Sequence, residues 1–378
     1  MKRWLIIGVA LVAAFAIGLG LYFSTPRSQL LLFPPRGATP APAVLEGAPS
    51  GASGPVVLAL AGDAMLGRRV NKKFGNRSAY NPWARLRPAL SDVDVLALNL
   101  ECSITANTER WPHKDYAFRL DPTHAERALD RIPLPVTAQR YASMANNHAL
   151  DYGREGLAET LGVVDGLGWH RSGAGASALE AQRPAVITTA TGVRVGVLAV
   201  SDHCSCRSVR SWMAGEDRSG MWYASFNRGA PEHLLEAVAA LDARVDLVVL
   251  SLHWGANYTH KGAPRWMRAV ARELVGAGAD VIVGHSAHQV LPAETIDGKH
   301  VFYGLGDLLH DYAYRPEYDN DLGLLAKLYI DADGTQHAEL RPFRIEDMMV
   351  WPLGEEDPGY AAALERAGWP LEPSGSSP

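Results

Sequence analysis

Short apolar runs alternate with helical patterns of apolar residues along most of the chain. The runs occupy residues 56–61, 93–98, 193–200, 247–252, 281–283 and 301–303. Apolar residues at helical spacing lie between them, at Leu157, Leu161 and Val164, at Leu234, Val238 and Leu241, and at Met267, Val270 and Leu274. Runs without polar alternation suit strands that are buried on both faces, and intervening helices are typical of parallel sheets. The pattern predicts an α/β fold, with a layered α/β sandwich as one form of it.

The pattern at the N-terminus is different. An unbroken apolar run at 4–23, about 20 residues long, follows Lys2 and Arg3 and matches the thickness of a bilayer core. We predict a transmembrane anchor at 1–23. Because positive charges stay on the cytoplasmic side, the rest of the chain is expected to face the periplasm or the cell exterior. Ala14 and Ala16 resemble a small-x-small cleavage site, so removal of the segment is the alternative.

A linker and a tail flank the predicted domain. Residues 24–54 are rich in Pro, Ala, Gly and Ser and have no helical or strand period, which is typical of a semi-rigid spacer. The folded domain is predicted at 55–345. Residues 346–378 form a C-terminal tail with several Pro and Gly residues, and its last residues are expected to be disordered.

Composition and charge exclude some classes of protein. The formal net charge is −5, the isoelectric point is near 6.2 and the arginines are scattered, so there is no electrostatic footprint for nucleic acid. Cys102, Cys204 and Cys206 cannot form a disulfide framework, and a bridge between Cys204 and Cys206 would be strained. We therefore expect these cysteines to be packing residues.

Polar side chains follow five of the six apolar runs and also the short segment ASMA at 142–145. In chain order they are Asp63, Asn99 and Glu101, Asn146, Asn147 and His148, His253, His285 and His288, and Asp307. The carboxyl ends of parallel strands open on one crevice of an α/β sheet, and ligands bind there. We therefore expect these side chains to converge.

The types of these residues indicate a metal site. Carboxylates, an Asn carbonyl oxygen and neutral imidazoles are ligands of manganese, iron and zinc, and one or two such ions would support hydrolysis. Each residue taken alone has a structural alternative: Asp63 as a helix cap or turn residue, His253 as a packed histidine, and 146–148 as a turn. His285 and His288 lie three apart on a loop led by glycine and can reach one ion. The joint placement at strand ends favours the site.

Seven segments resemble, in order and spacing, the motifs of the CapA family of capsule (poly-γ-glutamate) synthesis proteins. They are GDAMLGR at 62–68, NLE at 99–101, FRLDP at 118–122, NNHALDYGREGLAETL at 146–161, HWG at 253–255, GHSAHQVLPAETIDGK at 284–299 and YGLGDLL at 303–309. The resemblance covers about 56–345. The family is related to calcineurin-like metallophosphoesterases, whose GNHEFDYG motif is similar to residues 146–153. The resemblance implies a four-layer α/β sandwich.

The resemblance also implies roles for individual residues. It implies as metal ligands Asp63, Glu101, Asn147, His253, His285 and His288, with Glu101 bridging two ions. It implies that His148 is a general acid that protonates the leaving oxygen. Arg68 is a candidate for countering an anionic substrate, with a salt bridge as the structural alternative.

The chain departs from these motifs at three positions. Met65 stands where phosphoesterases carry a liganding histidine, and a thioether is a poor ligand for a hard site. Ser286 replaces a histidine and Asp307 replaces an asparagine that many CapA-like chains carry. Asp307 and Asp311 are therefore candidates for additional carboxylates in the pocket.

Two functions of different classes remain open from the sequence. The first is a metal-dependent hydrolase that acts outside the cytoplasm on a phosphoester or on a bond of an anionic polymer such as poly-γ-glutamate. The second is a non-catalytic, metal-containing subunit of a membrane complex for polymer synthesis or export. A retained His148 favours the enzyme, and Met65 favours the subunit. A sugar- or nucleotide-binding module is weaker, because it does not require six convergent ligands.

Overall fold

The computed structural model describes residues 55–203, 208–259, 262–331, 334 and 336–370 of the 378-residue chain. The predicted anchor at 1–23, the linker at 24–54, Cys204, Cys206 and the last eight residues of the tail lie outside these residues. Among the described residues, no helix combines the length and the apolar character needed to cross a membrane. The described chain is a mixed α/β fold with several sheets, which confirms the predicted α/β class.

Helices are interspersed among the strands as far as the twelfth strand. The described strands are β1 (Val56–Ala64), β2 (Val95–Leu100), β3 (Ser103–Ile104), β4 (Arg119–Leu120), β5 (Gln139–Ser143), β6 (His170–Ser172), β7 (Ala174–Gly175), β8 (Ala185–Thr188), β9 (Arg194–Ser201), β10 (Gly220–Met221), β11 (Leu247–His253), β12 (Val281–His285), β13 (Ala293–Ile296), β14 (Lys299–Phe302), β15 (Asp307–Leu309), β16 (Leu322–Ile330), β17 (Gln336–Glu346) and β18 (Met349–Pro352). The described α-helices are α1 (Arg68–Asn76), α2 (Ala125–Leu129), α3 (Gly153–Gly166), α4 (Ala178–Ala181), α5 (Val209–Trp212), α6 (Glu232–Asp242), α7 (Arg265–Gly276) and α8 (Pro358–Ala367). Short 3₁₀ helices cover Ala84–Leu86 and Pro122–His124.

In the larger sheet, β1 joins a group of parallel strands to a group of antiparallel strands. The order of the sheet is β18-β17-β16-β1-β2-β5-β6, and β15 also pairs with β1. Strands β15, β1, β2, β5 and β6 run parallel, whereas β16, β17 and β18 pair antiparallel. All nine residues of β1 are buried, as expected for a strand that is covered on both faces.

The smaller sheet has the order β13-β14-β12-β11-β9-β8. Its four inner strands run parallel, and the edge strands β8 and β13 pair antiparallel with their neighbours. The parallel strands β9, β11 and β12 carry the predicted runs at 193–200, 247–252 and 281–283. Their carboxyl ends therefore lie at one edge of this sheet, as the sequence predicts.

Three apolar clusters form the core. Val56, Leu58 and Leu60 of β1 belong to a cluster that also contains residues of the smaller sheet. The alternate residues of β1 belong to a second cluster, which contains the apolar faces of α1 and α3. The third cluster joins the smaller sheet to α6 and α7. Residues on one strand thus divide between two clusters because successive side chains point to opposite faces.

Residues after 345 add two packed elements. Strand β18 pairs with β17, and α8 buries Ala363 and Ala367 in the cluster shared by the two sheets. Asp357 caps α8 by accepting a hydrogen bond from the Gly359 backbone N–H, and Gly368 ends the helix in the left-handed conformation. The limits of the domain at 55 and 345 stay predictions.

Candidate metal centre

The polar residues at the strand ends lie together and are buried. Strand register sets Asp63 of β1 beside Asn99 of β2 and beside Asp307 of β15, and it sets His253 of β11 beside His285 of β12. None of the six predicted ligands is more than 4% exposed. Side-chain contacts of 3.9 Å or less connect all six. Asp63 contacts His285 and His288, Glu101 contacts His253 and His288, and Asn147 contacts His253.

Four buried side chains approach closely enough to share one ion. Asp63, Glu101, His288 and Asp307 each offer one ligand atom, and these atoms lie within 4.8 Å of one another. Opposite ligands of an octahedral ion are about 4.2 Å apart for metal–oxygen distances near 2.1 Å, so the group has the size of a metal site. Three of the four are predicted ligands. The fourth, Asp307, is one of the two additional carboxylates that the sequence suggests; the ligand roles themselves stay predictions.

Glu101 is the least satisfied residue of the site. Its side chain is fully buried, and neither carboxylate oxygen accepts a hydrogen bond from the described residues. The Nε2 atoms of three histidines, His148, His253 and His288, each lie 3.9 Å from Glu101 Oε1. Burial raises the pKa of Glu101 well above its usual value, and the charge of His288 opposes that shift. Burying a carboxylate without partners costs roughly several kcal/mol of folding free energy. A divalent cation is a partner that fits this set of oxygen and nitrogen donors.

Asp63 and His285 make a close contact that is not a hydrogen bond. His285 Nδ1 lies 3.2 Å from Asp63 Oδ1 and makes no hydrogen bond with the described residues. The other ring nitrogen, Nε2, lies 3.0 Å from Ser251 Oγ, which orients the ring. Asp63 Oδ2 accepts a hydrogen bond from the Ser286 backbone N–H at 3.0 Å. Burial would raise the pKa of Asp63, but the neighbouring histidines, led by His285, hold it below its usual value.

His288 lies between three carboxylates. Its Nδ1 donates to Asp307 Oδ1 at 2.9 Å and lies 3.6 Å from Asp63 Oδ2, while its Nε2 faces Glu101. Burial lowers the pKa of His288, but the charges of Asp307, Glu101 and Asp63 outweigh burial and raise the pKa to about 10. The cluster therefore attracts positive charge strongly.

His253 and Asn147 contact each other on the other side of the site. His253 Nε2 donates to Asn147 Oδ1 at 3.1 Å, and Asn99 Nδ2 donates to His253 Nδ1 at 3.3 Å and to Asp63 Oδ1 at 2.8 Å. Asn146 Nδ2 donates in turn to Asn99 Oδ1 at 3.0 Å. Burial lowers the pKa of His253 well below its usual value, so its imidazole is neutral, which is the form that binds metal ions.

His148 is held by a buried carboxylate and a buried lysine. Its Nδ1 donates to Asp151 Oδ2 at 2.7 Å, and Lys114 Nζ lies 2.5 Å from Asp151 Oδ1. The Phe118 backbone N–H donates to Asp151 Oδ2 at 2.6 Å, and the Phe118 ring stacks on the His148 ring at a centroid distance of 3.9 Å. Burial lowers the pKa of His148 to about 4, although Asp151 opposes the shift. These contacts fix the ring with Nε2 directed at Glu101.

Arg68 and Asp311 form an ion pair in the wall of the neighbouring cavity. The Arg68 guanidinium bonds to Asp311 and lies over the rings of Phe118 at 4.7 Å and Tyr312 at 5.2 Å. The Arg69 backbone N–H donates to Asp311 Oδ2 at 2.9 Å. The structure thus places Arg68 beside the site. Arg68 also forms a salt bridge, which is the structural alternative predicted for it from the sequence. Asp311, unlike Asp307, lies outside the four-residue cluster.

A cavity of about 1020 Å³ opens beside the cluster. Asn147, His148 and His288 line its inner part. Its wall carries four basic residues, Arg68, Arg69, Lys114 and Arg315, and two acidic residues, Asp115 and Asp311. Aromatic rings complete the wall, from Tyr116, Phe118, Tyr258 and Tyr312. The balance of charge and the volume suit an anionic molecule larger than a single phosphate group.

Sequence reasoning missed two residues of the site. Asp151 lies inside the segment NNHALDYG, and its spacing of three from His148 is a signal that could have identified it. Lys114 has no such signal, because it lies in a loop without periodicity and reaches Asp151 only through the fold. Both are buried, Asp151 completely.

A mixed α/β fold with a buried cluster of carboxylates and imidazoles at its strand ends, open to a basic cavity, defines a candidate metalloprotein. The family model of the bacterial capsule synthesis protein PGA_cap matches residues 57–312, which is more than half of the chain. The chain belongs to this family. The match begins in β1 and ends just after β15, so it includes every residue of the cluster.

Similar proteins are named for the synthesis of capsule, PGA or polyglutamine. A "probable polyglutamine synthesis accessory protein" of Mycobacterium tuberculosis is 35% identical over 307 aligned positions, and the alignment covers 78% of each chain. The PGA biosynthesis protein CapA of Bacillus subtilis is 28% identical over 78% of this chain and 73% of its own. The capsule biosynthesis protein CapA of Bacillus anthracis is 26% identical over 79% of this chain and 69% of its own. These similarities confirm the resemblance that the sequence motifs indicate.

Proposed function

We propose that this CapA-like protein of capsule and poly-glutamate biosynthesis is a divalent-metal-dependent hydrolase that acts on an anionic polymer or a phosphoester. The observation that carries the proposal is the environment of Glu101. A fully buried carboxylate with two unpartnered oxygens, surrounded by three imidazoles at 3.9 Å, would be stabilised by a cation among these groups.

The residues that would hold the ion or ions are the four of the cluster, together with His253, His285 and Asn147. Manganese, iron and zinc all accept this set of oxygen and nitrogen ligands. A bound divalent ion would neutralise the carboxylates and polarise a phosphoryl or carbonyl oxygen of the substrate. The ligand atoms already lie close together, so little rearrangement of the chain is needed.

The chain's own residues supply proton transfer and substrate binding. Asp151 accepts the hydrogen of His148 Nδ1, so Nε2 is the atom that gives a proton to the leaving oxygen. The low pKa of His148 belongs to the protein without substrate, and the negative charge of a bound substrate would raise it toward the protonated form. Arg68 and Lys114 lie in the same cavity and add positive charge beside the substrate.

The anionic substrate is proposed from the cavity and from the relatives together. The wall carries more basic than acidic residues, and the relatives are named for capsule and polyglutamine synthesis. We propose that this chain also has a polymer-related function and that it acts at a membrane. The cavity is large enough for several residues of a polymer rather than one.

A second candidate function is a non-catalytic, metal-containing subunit of a polymer synthesis or export complex. The observation that favours it is Met65, which is fully buried in the apolar cluster with α1 and offers no ligand to the site. A site with an incomplete ligand set for a second ion can hold a polymer through one metal without cleaving it.

The experiment that tests the hydrolase is an assay of the purified chain with and without metal. The chain is stripped with EDTA and reloaded with Mn²⁺, Fe²⁺ or Zn²⁺, and hydrolysis is measured on a panel of phosphoesters and γ-glutamyl polymers. We expect at least one metal to restore hydrolysis about 100-fold above the stripped chain, the usual order of magnitude for an essential catalytic group. Bound metal without hydrolysis of any substrate in the panel would favour the subunit instead.

The four-layer arrangement is part of the same proposal. Helices α1 and α3 share one cluster with the larger sheet, the two sheets share another, and α6 and α7 share the third with the smaller sheet. These three clusters support an order of helices, sheet, sheet and helices. Such an order explains why the central strands are buried on both faces.

We also propose that residues 1–23 anchor the protein with the domain outside the cytoplasm. The support is the apolar run at 4–23 after Lys2 and Arg3. Alkaline phosphatase, which folds only in an oxidising compartment, is fused after residue 54, and green fluorescent protein is fused at the same point as the matched control. We expect an active phosphatase and a dark fluorescent protein. The reverse result would place the domain in the cytoplasm.

A further inference from the structure

Two glycines allow Asp307 to lie directly beside Asp63. A Cβ atom on Gly62 would lie 1.7 Å from the Gly306 carbonyl oxygen, so β1 and β15 can approach this closely only with glycine at 62. Gly306 itself has a φ of +74°, which favours glycine. The pairing of the strands is parallel, with Asp63 opposite Asp307. The backbone therefore places two buried carboxylates side by side.

One oxygen of Asp307 has no hydrogen-bond partner among the described residues. Oδ1 accepts from His288 Nδ1, but Oδ2 accepts no hydrogen bond although the residue is fully buried. His310 Nε2 lies 3.8 Å from Oδ2 but donates to the Asn320 carbonyl oxygen at 2.9 Å. The other nitrogen of His310 accepts from the Tyr312 backbone N–H at 2.9 Å. His310 thus has no hydrogen left for Asp307.

The charge of the cluster favours a bound cation. Asp63, Glu101 and Asp307 carry three negative charges when ionised, and their ligand atoms lie within 4.8 Å of one imidazole, His288. A divalent cation among these groups would balance the buried negative charge and give the unpartnered oxygens of Glu101 and Asp307 a ligand role.

We propose that Asp307 binds the ion directly through its free oxygen, and that its carboxylate raises the affinity of this position for manganese relative to zinc. The inference rests on the proposed metal-dependent function and deepens it. Three carboxylates and one imidazole form a hard, oxygen-rich ligand set, which suits manganese, whereas zinc prefers sites richer in nitrogen or sulfur. Replacing the Asp307 carboxylate by an amide removes a negative charge and leaves a neutral, weaker oxygen donor without changing the size of the side chain.

The test compares Asp307→Asn with Asp311→Asn in the complete chain. Asp311 is a matched control, because it is also a buried aspartate near the site but pairs with Arg68 outside the cluster. Each protein is stripped, equilibrated with equal concentrations of Mn²⁺ and Zn²⁺, desalted and measured by elemental analysis. For Asp307→Asn we expect the bound Mn:Zn ratio to fall about tenfold or more relative to the unmodified chain. Tenfold is the lower end of the loss of metal affinity caused by removing a residue that only supports a ligand. Asp311→Asn is expected to keep the ratio of the unmodified chain.

Each result decides the proposal. An unchanged ratio and unchanged total metal in Asp307→Asn overturn it. An equal loss of both metals also overturns it, because Asp307 would then not favour manganese relative to zinc. If Asp307→Asn melts well below the unmodified chain, Asp307→Ser is measured in its place, because the smaller side chain leaves room for water. A chain that binds no metal before any substitution overturns the proposed function as well, whereas a metal-bound chain with an unaffected variant overturns this inference alone.

Discussion

The chain with both His285 and His288 replaced by Ala is expected to lose its bound metal. The two imidazoles contact Asp63 at 3.2 and 3.6 Å, and His288 also faces Glu101 and Asp307. Loss of a residue that merely supports a ligand lowers metal affinity about 10- to 100-fold, so loss of two direct ligands should lower it further. Elemental analysis of the purified variant, after loading with excess Mn²⁺ and desalting, measures the result.

The control for this variant is the double replacement of His170 and His337 by Ala. These histidines lie in β6 and β17, are only partly buried or exposed, and are outside the site. The control is expected to keep the metal content of the unmodified chain. If the variant lacking His285 and His288 binds as much metal as the control, the assignment of these two residues as ligands is wrong.

The second large effect is expected from His148→Ala, which should lower turnover about 100-fold or more while metal and fold are retained. His148 Nε2 lies 3.9 Å from Glu101 Oε1 and therefore faces the cluster, whereas Nδ1 is committed to Asp151. The side chain is thus placed to exchange a proton with a substrate without being needed to hold the ion. The measurements are kcat, metal content and the melting temperature of the purified variant.

Asp151→Asn is the companion variant, and it tests whether the carboxylate sets the orientation of His148. We expect it to lower kcat less than His148→Ala, because the asparagine keeps the shape of the residue but provides a weaker acceptor for Nδ1. A normal kcat in His148→Ala would contradict the proton-transfer role. A non-catalytic subunit predicts that result together with intact polymer production in cells, and it predicts that Glu101→Ala or His253→Ala abolishes production by removing the metal.

Unbroken apolar runs predicted the parallel strands well. The run at 56–61 lies in β1 and the run at 247–252 lies in β11, and the helical stripes correspond to α3, α6 and α7. The same pattern does not predict β16 and β17. Lys327 interrupts the apolar residues of β16 and pairs with Asp92, and the residues of β17 alternate between buried and more exposed positions.

The residue types and their positions at the strand ends predicted a candidate metal site. A parallel strand that ends in Asp63, Glu101, His253 or His285 delivers that side chain to the same edge as its neighbours. This local rule does not say which atoms meet. The contact of Asp151 with Lys114, 37 residues apart in sequence, depends on a loop that packs back on the site, and such contacts leave no periodic pattern.

The sequence by itself determined the class of the fold, the family and the types of side chain in the candidate site, because apolar runs and the residues that end them are local properties of the chain. Only the tertiary structure decided that Asp307 joins the cluster while Asp311, four residues later, pairs with Arg68 instead. The physical reason is the close approach of β15 to β1 at Gly62 and Gly306, a steric fit between segments more than 240 residues apart. Burial of the side chains that meet there makes this group a candidate site for a cation.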